Sequence, residues 1–568
     1  MSGETEEYFA QLCKRSLGKF FRNKAEYEKM IERGAQHDTT ASGEEFTKRR
    51  MEAYIQRNCK VAKDLFYEGN QIYAVLMSAR DSTAVLVRDG FEEKTILSKW
   101  KEMYREEPAN VSFAGTFYVD TRDGEKLSTD VYLPEEGGMT DKKIPAVLVR
   151  TPYGKKKGVE IYYRFVQRGY ALVVQDTRGR EDSTGKWQPN YYEVEDGDDT
   201  LNWIAEQEWS DGQVSMTGGS YLGYVQWAAA ASGNPHLKAM LSSVCAGSAF
   251  GDLPRRGGCF TSGILAWAFA MAEQKIDQDK MVRVDWDAVL DMRPLEEIPQ
   301  KALGREIPFL TEWLRHKDMD EMWKRTNWKD RYAGGPVPAL ILSGWFDDNG
   351  MGTTEALDLV RDWPEGTWKA ILGPWKHSGN AEYDLHGIFM GEDALRYDVD
   401  LQCMMWIDHF LKGVDNGIER TPRVEYYTLG EYRWNTAQAW PPENGKLTRI
   451  DLKGERDSYL YDPDNPATHI IDMSENEIEV PEDYTQEEKR EDFLVYSSEP
   501  FEKPVTVTGD IVAHLFVSCD CPDTDLVLRM TDVDENGKSV SLPTGFSISN
   551  TGTDLTSRST WSQEKCMR

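Results

Sequence analysis

Apolar positions change their period along the chain, and each change marks a different kind of structure. In residues 1–112 they recur at helical spacing, as in Phe9, Leu12, Leu17, Phe20 and Phe21, or Met51, Tyr54, Ile55, Val61 and Leu65. This spacing predicts a mostly helical N-terminal extension, with a polar loop over 35–45 and a β-branched run over 73–87 that fits strand equally well. From residue 113 the pattern shortens. Alternating runs at 116–120 and 126–132 flank Asp123-Gly124, a hairpin signal. Apolar strands then alternate with helical segments, at 146–149, 171–175, 214–217, 239–244, 339–342 and 369–372. Such alternation predicts an α/β domain, a parallel sheet covered on both faces, built from 113–250 and 335–420.

Residues 251–334 interrupt it with helical patterns at 264–273 and 312–323, broken by Pro294, Pro299 and Pro308. An insertion there lies over the carboxyl ends of the strands, where open α/β sheets bind ligands, so we expect a helical cap. A helical run at 394–412 follows. From 421 to 568 short β-rich runs (424–428, 505–507, 512–517, 526–530) alternate with Gly, Pro, Asp and Asn, which predicts an all-β sandwich; 545–568, rich in Ser and Thr, is expected to be poorly ordered.

Composition narrows the function. The 568 residues carry a net charge of −30, which repels nucleic-acid phosphates and anionic membranes. No stretch is apolar enough to span a bilayer, and the acidic start Met1-Ser2-Gly3-Glu4 lacks the layout of a signal peptide, so a cytoplasmic protein is expected. The eight cysteines are scattered, and the close pair Cys519 and Cys521 has one spacer where metal sites want two, so we read reduced thiols and no metal. The extension carries no chemical motif and reads as a packing element or the contact of a homo-oligomer.

The chemistry centres on Val214-Ser215-Met216-Thr217-Gly218-Gly219-Ser220-Tyr221-Leu222-Gly223, which reads as strand, sharp turn and helix. Ser220 sits at the bend, and Gly218 and Gly223 let strand and helix approach. The general esterase signature has glycine two places after the serine; here it comes third. A serine nucleophile needs a base and an orienting acid, expected on this fold in the order Ser, Asp or Glu, His. Among the eight histidines His377 follows the strand at 369–372 through Gly373-Pro374, with His386 as fallback, and His409 falls in a helical apolar pattern. Asp347 or Asp348 follows the strand at 339–342. Oxyanion donors are the Tyr221 N–H and a group from Arg150-Thr151-Pro152-Tyr153, where the Tyr153 hydroxyl is a candidate and plain packing is the alternative. Trp345 and Trp375 adjoin these loops, as pocket lining or packing.

Taken together, Arg-Thr-Pro-Tyr at 150–153, Gln-Asp-Thr-Arg-Gly at 175–179, Gly-Gly-Ser-Tyr-Leu-Gly at 218–223, Gly-Trp-Phe-Asp at 344–347, Gly-Pro-Trp-Lys-His at 373–377 and Asp-His-Phe-Leu-Lys-Gly at 408–413 closely resemble the CocE/NonD hydrolases, over about 113–545. This is the group of cocaine esterase, α-amino-acid ester hydrolases and glutaryl-cephalosporin acylases, related to X-prolyl dipeptidyl peptidases. The resemblance implies an α/β-hydrolase domain with an inserted helical cap and a C-terminal jelly-roll. It also implies Ser220 as nucleophile, Asp347 as acid, His377 as base, Tyr153 and Tyr221 as oxyanion donors, structural roles for Asp176 and Arg178 in an ion pair or loop clasp, and a packing role for His409. The late glycine is this family's habit. The N-terminal hundred residues fall outside the pattern, and the β domain is shorter than the family's, which implies an incomplete jelly-roll with an exposed apolar face. The expected function is cofactor-free cleavage of small-molecule esters or amides through an acyl-enzyme. The alternatives are an X-prolyl dipeptidyl-peptidase-like activity and a non-catalytic scaffold.

Overall fold

The computed structural model describes residues 18–50, 52–105, 108–135, 143–256, 259–452, 457–467, 481–509, 511, 513, 515–521 and 524–550. From residue 18 on, the N-terminal region departs from the expected helical extension, while Phe9, Leu12 and Leu17 lie outside the described residues. One helix, Gly18–Arg33, is followed by six antiparallel strands paired in chain order: His37–Thr39, Glu45–Arg49, Ala53–Arg57, Asp64–Glu68, Gln71–Ser78 and Thr83–Val87. A helix through 51–65 is broken by Glu52 and Asn58, which adopt positive φ of 30° and 50°. Asp64–Glu68 and Gln71–Ser78 are joined by Gly69-Asn70 alone. One face of the sheet packs Tyr54, Leu65 and Val75 against Phe20, Tyr27, Met30 and Ile31 of the helix. The other face meets the next domain, where Ile55 and Ala62 join the large core. Burial on both faces of Ala53–Arg57 removes the polar alternation that marks a half-exposed strand.

The central sheet has ten strands. From one edge they are Arg433–Ala437, Val424–Thr428, Trp368–Lys376, Ala339–Phe346, Leu237–Cys245, Ser210–Ser220, Ile144–Thr151, Ala171–Asp176, Lys126–Glu135 and Asn110–Asp120. Those from Val424–Thr428 to Ala171–Asp176 run parallel, and the outer ones pair antiparallel. Successive residues face opposite layers. Ala146 and Leu148 pack on the side of helix Tyr221–Ala231, whereas Val147 and Val149 pack on the side of helix Val399–Lys412. This two-sided cover explains why the strands read as unbroken apolar runs.

The central sheet runs past the boundary expected at 421. Val424–Thr428 pairs parallel with Trp368–Lys376, Ala370 opposite Val424, and Arg433–Ala437 closes the edge. Helix Val399–Lys412 is the crossover that brings the chain back in parallel, so the strand after it belongs to this sheet.

Between Leu237–Cys245 and Ala339–Phe346 lie the short helices Ile264–Ala270, Trp286–Leu290, Ile298–Leu303, Pro308–Arg315, Glu321–Thr326 and Trp328–Arg331. Most of them share a separate core with Phe269, Leu310, Trp313 and Trp323 at its centre. Beyond Ala437 the described strands are one hairpin, Thr524–Val533 with Ser539–Asn550. Of the runs expected as sandwich strands, 505–507 and the described residues of 512–517 are not in strands, 512 and 514 lie outside the described residues, and Leu447 and Phe516 are 82% and 106% exposed. Residues 545–550 lie in the hairpin, correcting the expectation of disorder there, and 551–568 fall outside the described residues. No helix among the described residues is long and apolar enough to cross a membrane.

Candidate active site

Strand Ser210–Ser220 runs straight into helix Tyr221–Ala231, and Ser220 takes up the bend at φ 63°, ψ −124°. A non-glycine residue there is strained by about 1–3 kcal/mol, which only a well-packed surround sustains. The flanking glycines make that packing possible. A Cβ on Gly218, at φ 134°, would lie 2.5 Å from the Leu222 Cβ, and one on Gly223 would lie 2.9 Å from the Cys245 Cα. Ser220 stays partly exposed. Tyr221 opens the helix, so its N–H has no acceptor within the helix and is free to face an anion.

Two neighbouring strands of the same sheet end in the other sequence-derived residues. Asp347 follows Ala339–Phe346, and His377 follows Trp368–Lys376. The His377 Nδ1 lies 2.8 Å from Asp347 Oδ1 and 2.9 Å from Asp348 Oδ1, so both candidate acids reach the imidazole. Asp347 is the better anchored. Its Oδ2 accepts from the Ser343 hydroxyl at 2.7 Å and its Oδ1 from the Asn349 N–H at 3.1 Å. Enclosure by itself would lower the imidazole's pKa, but the two carboxylates, Asp348 foremost, outweigh it and push it up to about 10. Burial would likewise raise the Asp348 carboxyl, and the His377 charge holds it below the ordinary range.

The Ser220 hydroxyl accepts from the Asn349 amide at 3.3 Å, and no Ser220–His377 hydrogen bond is formed. A χ1 rotation is the kind of change by which such contacts tighten in a substrate complex. The Tyr153 hydroxyl accepts from the Trp267 indole N–H at 3.2 Å, and burial raises its pKa, keeping the phenol protonated as a donor. Trp267 comes from helix Ile264–Ala270, so the helical insertion reaches the site. The Tyr221 phenol faces inward, donating to Glu193 at 2.8 Å and accepting from the Asn190 N–H at 2.9 Å, which leaves only its backbone for the site.

Other sequence-derived residues lie elsewhere. Asp176 and Arg178 are not paired with each other: Asp176 holds Lys155 at 3.0 Å, and Arg178 clasps Asp123 and Asp196. His386 contacts Glu482, and His409 lies 3.1 Å from the Val414 carbonyl. Trp375 is buried and donates to the Ala394 carbonyl, while Trp345 stacks on Trp440, so both pack. Sequence reasoning missed Asn349, although it stands two places after Asp347 in the same loop. Asp347, Asp348 and His377 are also the group among the described residues whose ligand atoms lie within 4.8 Å of one another. With Asp347 already engaged by Ser343, Asn349 and His377, this arrangement suits holding an imidazole better than chelating an ion.

Residues 123–379 match the model of the X-Pro dipeptidyl-peptidase (S15) family, and residues 416–562 match that of the X-Pro dipeptidyl-peptidase C-terminal non-catalytic domain. The cocaine esterase of Rhodococcus sp. (strain MB1 Bresler) is 32% identical over 494 residues, covering 77% of this chain and 83% of that protein. Among solved structures, an α-amino-acid ester hydrolase superposes with a TM-score of 0.65 at 21% identity, covering 78% of this chain and 82% of that one. An aminopeptidase from a marine sediment Thaumarchaeota archaeon gives 0.62 at 24%, with the same coverage. The last two share the α/β-hydrolase fold. With the relationship to the esterase extending over most of both sequences, the chain is a serine hydrolase and belongs to the CocE/NonD family, alongside the X-Pro dipeptidyl-peptidases of family S15.

Proposed function

We propose that the protein cleaves small-molecule esters or amides by acyl transfer, with Ser220 as nucleophile, His377 as base and Asp347 as the acid that orients it. Ser220 Oγ attacks the carbonyl carbon as His377 Nε2 takes its proton. The resulting oxyanion is met by the Tyr153 hydroxyl and the Tyr221 N–H, His377 returns the proton to the departing alcohol or amine, and water then resolves the acyl-enzyme. The helical insertion acts as a cap over this site through Trp267, and the C-terminal region is the counterpart of the family's jelly-roll. What supports the assignment above all is the 2.8 Å Asp347–His377 contact on loops that leave the same parallel sheet at the end where strand Ser210–Ser220 turns at the strained Ser220.

Labelling with a fluorophosphonate probe tests it: the wild type should react and Ser220→Ala should not, and labelling that persists in the variant removes this serine. Turnover of p-nitrophenyl esters, compared with an X-Pro p-nitroanilide, separates esterase from dipeptidyl-peptidase chemistry. Failure to turn over either above the Ser220→Ala background would favour a scaffold.

A further inference from the structure

The N-terminal sheet sends one hairpin into the site. Gln71–Ser78 and Thr83–Val87 are joined by a turn closed by the Ala79 N–H on the Ser82 carbonyl at 2.8 Å, with Arg80 and Asp81 at its tip. Asp81 is fixed by Arg164, whose Nη1 donates to its carbonyl at 2.8 Å. Arg80 points between the two halves of the catalytic machinery. Its Nη2 donates to the His377 carbonyl at 3.0 Å. A Cβ on Gly219, the residue before the nucleophile, would fall on the Arg80 guanidinium, and one on Gly379 would lie 2.8 Å from the Arg80 Cα. The same module grips the segment that follows His377. The Ala62 N–H donates to the Ala381 carbonyl at 2.7 Å, Tyr383 donates to the buried Asp64 at 2.7 Å, and Arg57 Nε donates to Asp384 at 2.8 Å.

Arg80 also differs from the other arginines at the site. Arg178 has carboxylate partners, and Arg180 is spent on carbonyls of Pro152 and Met271. Arg80 has a buried Nε without a hydrogen-bond partner, and no described carboxylate pairs with it. Its charge acts on the Tyr153 phenol, favouring the anion. Residue 80 precedes both matched stretches, which begin at 123 and 416.

We propose that Arg80 is a positioning residue delivered by the N-terminal sheet, wedged between Gly219 and the His377 loop so that nucleophile and base keep their separation. The unneutralised guanidinium also adds positive potential where the oxyanion forms, but its contact is with the backbone that carries His377. The inference rests on the Ser220–His377 assignment, and Ser220→Ala belongs in the same series: turnover by that variant would sink the assignment, whereas an inert Ser220→Ala beside fully active Arg80 variants would sink only this inference.

The experiment uses the full chain and a p-nitrophenyl ester. Arg80→Met keeps the stem and loses fork and charge, and Arg80→Lys keeps the charge alone. Both should lower kcat by about tenfold to a hundredfold with KM nearly unchanged, the cost of a small misplacement of reacting groups. Millimolar guanidinium should restore part of kcat in Arg80→Ala, which a merely structural loss would not permit. Gly219→Ala should impair the wild type by displacing the guanidinium, yet add little in the Arg80→Ala background, where the space is vacant. Wild-type kcat in Arg80→Met overturns the proposal. So does a loss of kcat that follows thermal stability, is not relieved by guanidinium and adds in full to Gly219→Ala.

Discussion

Two carboxylates contend for one N–H at His377, and replacing them one at a time should separate their roles. Asp347→Asn leaves the anchor in place but offers an amide to the imidazole, and turnover should fall by about 10⁴-fold, as it does when the orienting acid of a triad is lost. Asp348→Asn should act differently. A unit charge 2.9 Å from Nδ1 is worth roughly 6 kcal/mol at an effective dielectric of about 20 and about 1.5 kcal/mol in bulk water. The imidazole is 23% exposed, so the interaction falls between these limits, and its loss should lower the His377 pKa by about one to three units. The base works neutral, so kcat/KM rises as His377 loses its proton. In the wild type that rise should be centred well to the alkaline side, towards about 10, and in Asp348→Asn it should move to lower pH. The assay is hydrolysis of a p-nitrophenyl ester from about pH 5 to about pH 10, with the Ser220→Ala rate subtracted at each point. Stability should follow the same linkage. A folded pKa above the unfolded value stabilises fully below about 6.5, and that contribution is lost as pH rises towards about 10. The wild type should lose Tm over that window and Asp348→Asn much less. An acid limb that stays put or moves up in Asp348→Asn, or a benign Asp347→Asn, would refute the reasoning.

Tyr153→Phe should lower kcat by about 10²–10³-fold with little change in KM. It also strips the Trp267 indole N–H of its acceptor, for a stability loss of about 1–3 kcal/mol, measured by denaturant titration; unchanged kcat would show that the phenol is not an oxyanion donor. Gly218→Ala should lower Tm and turnover together, because φ 134° and a Cβ 2.5 Å from the Leu222 Cβ leave the elbow no relaxed geometry, and a wild-type melting curve would contradict that packing.

What was legible in the chain follows from how locally each feature is determined. The elbow could be found because strand, glycines, serine and helix formers are contiguous, and the strained Ser220 needs all of them at once. His377 and the aspartates were legible as the ends of continuous apolar runs. Choosing between Asp347 and Asp348 was not, since both carboxylates come within 2.9 Å of the imidazole, and only the folded geometry gives Asp347 the hydrogen bonds to His377, Ser343 and Asn349. The N-terminal sheet is less legible because Ala53–Arg57 is covered on both faces and shows no polar alternation, and its local trace is the two-residue hairpin signal Gly69-Asn70. Arg80 left no local trace, because its partners lie at 219, 377 and 379 and only tertiary folding brings them together.

The strand Val424–Thr428 sets a rule for dividing the gene product. Trp368–Lys376, which carries His377 at its end, is buried throughout, and that strand pairs along its outer edge. A fragment ended at 420 would turn the histidine's own strand into an unpaired, apolar edge, open to association with any other such edge in solution. Expression boundaries that respect the sheet must therefore run past Ala437, so the sheet that carries the candidate site extends into the stretch matched by the C-terminal non-catalytic domain.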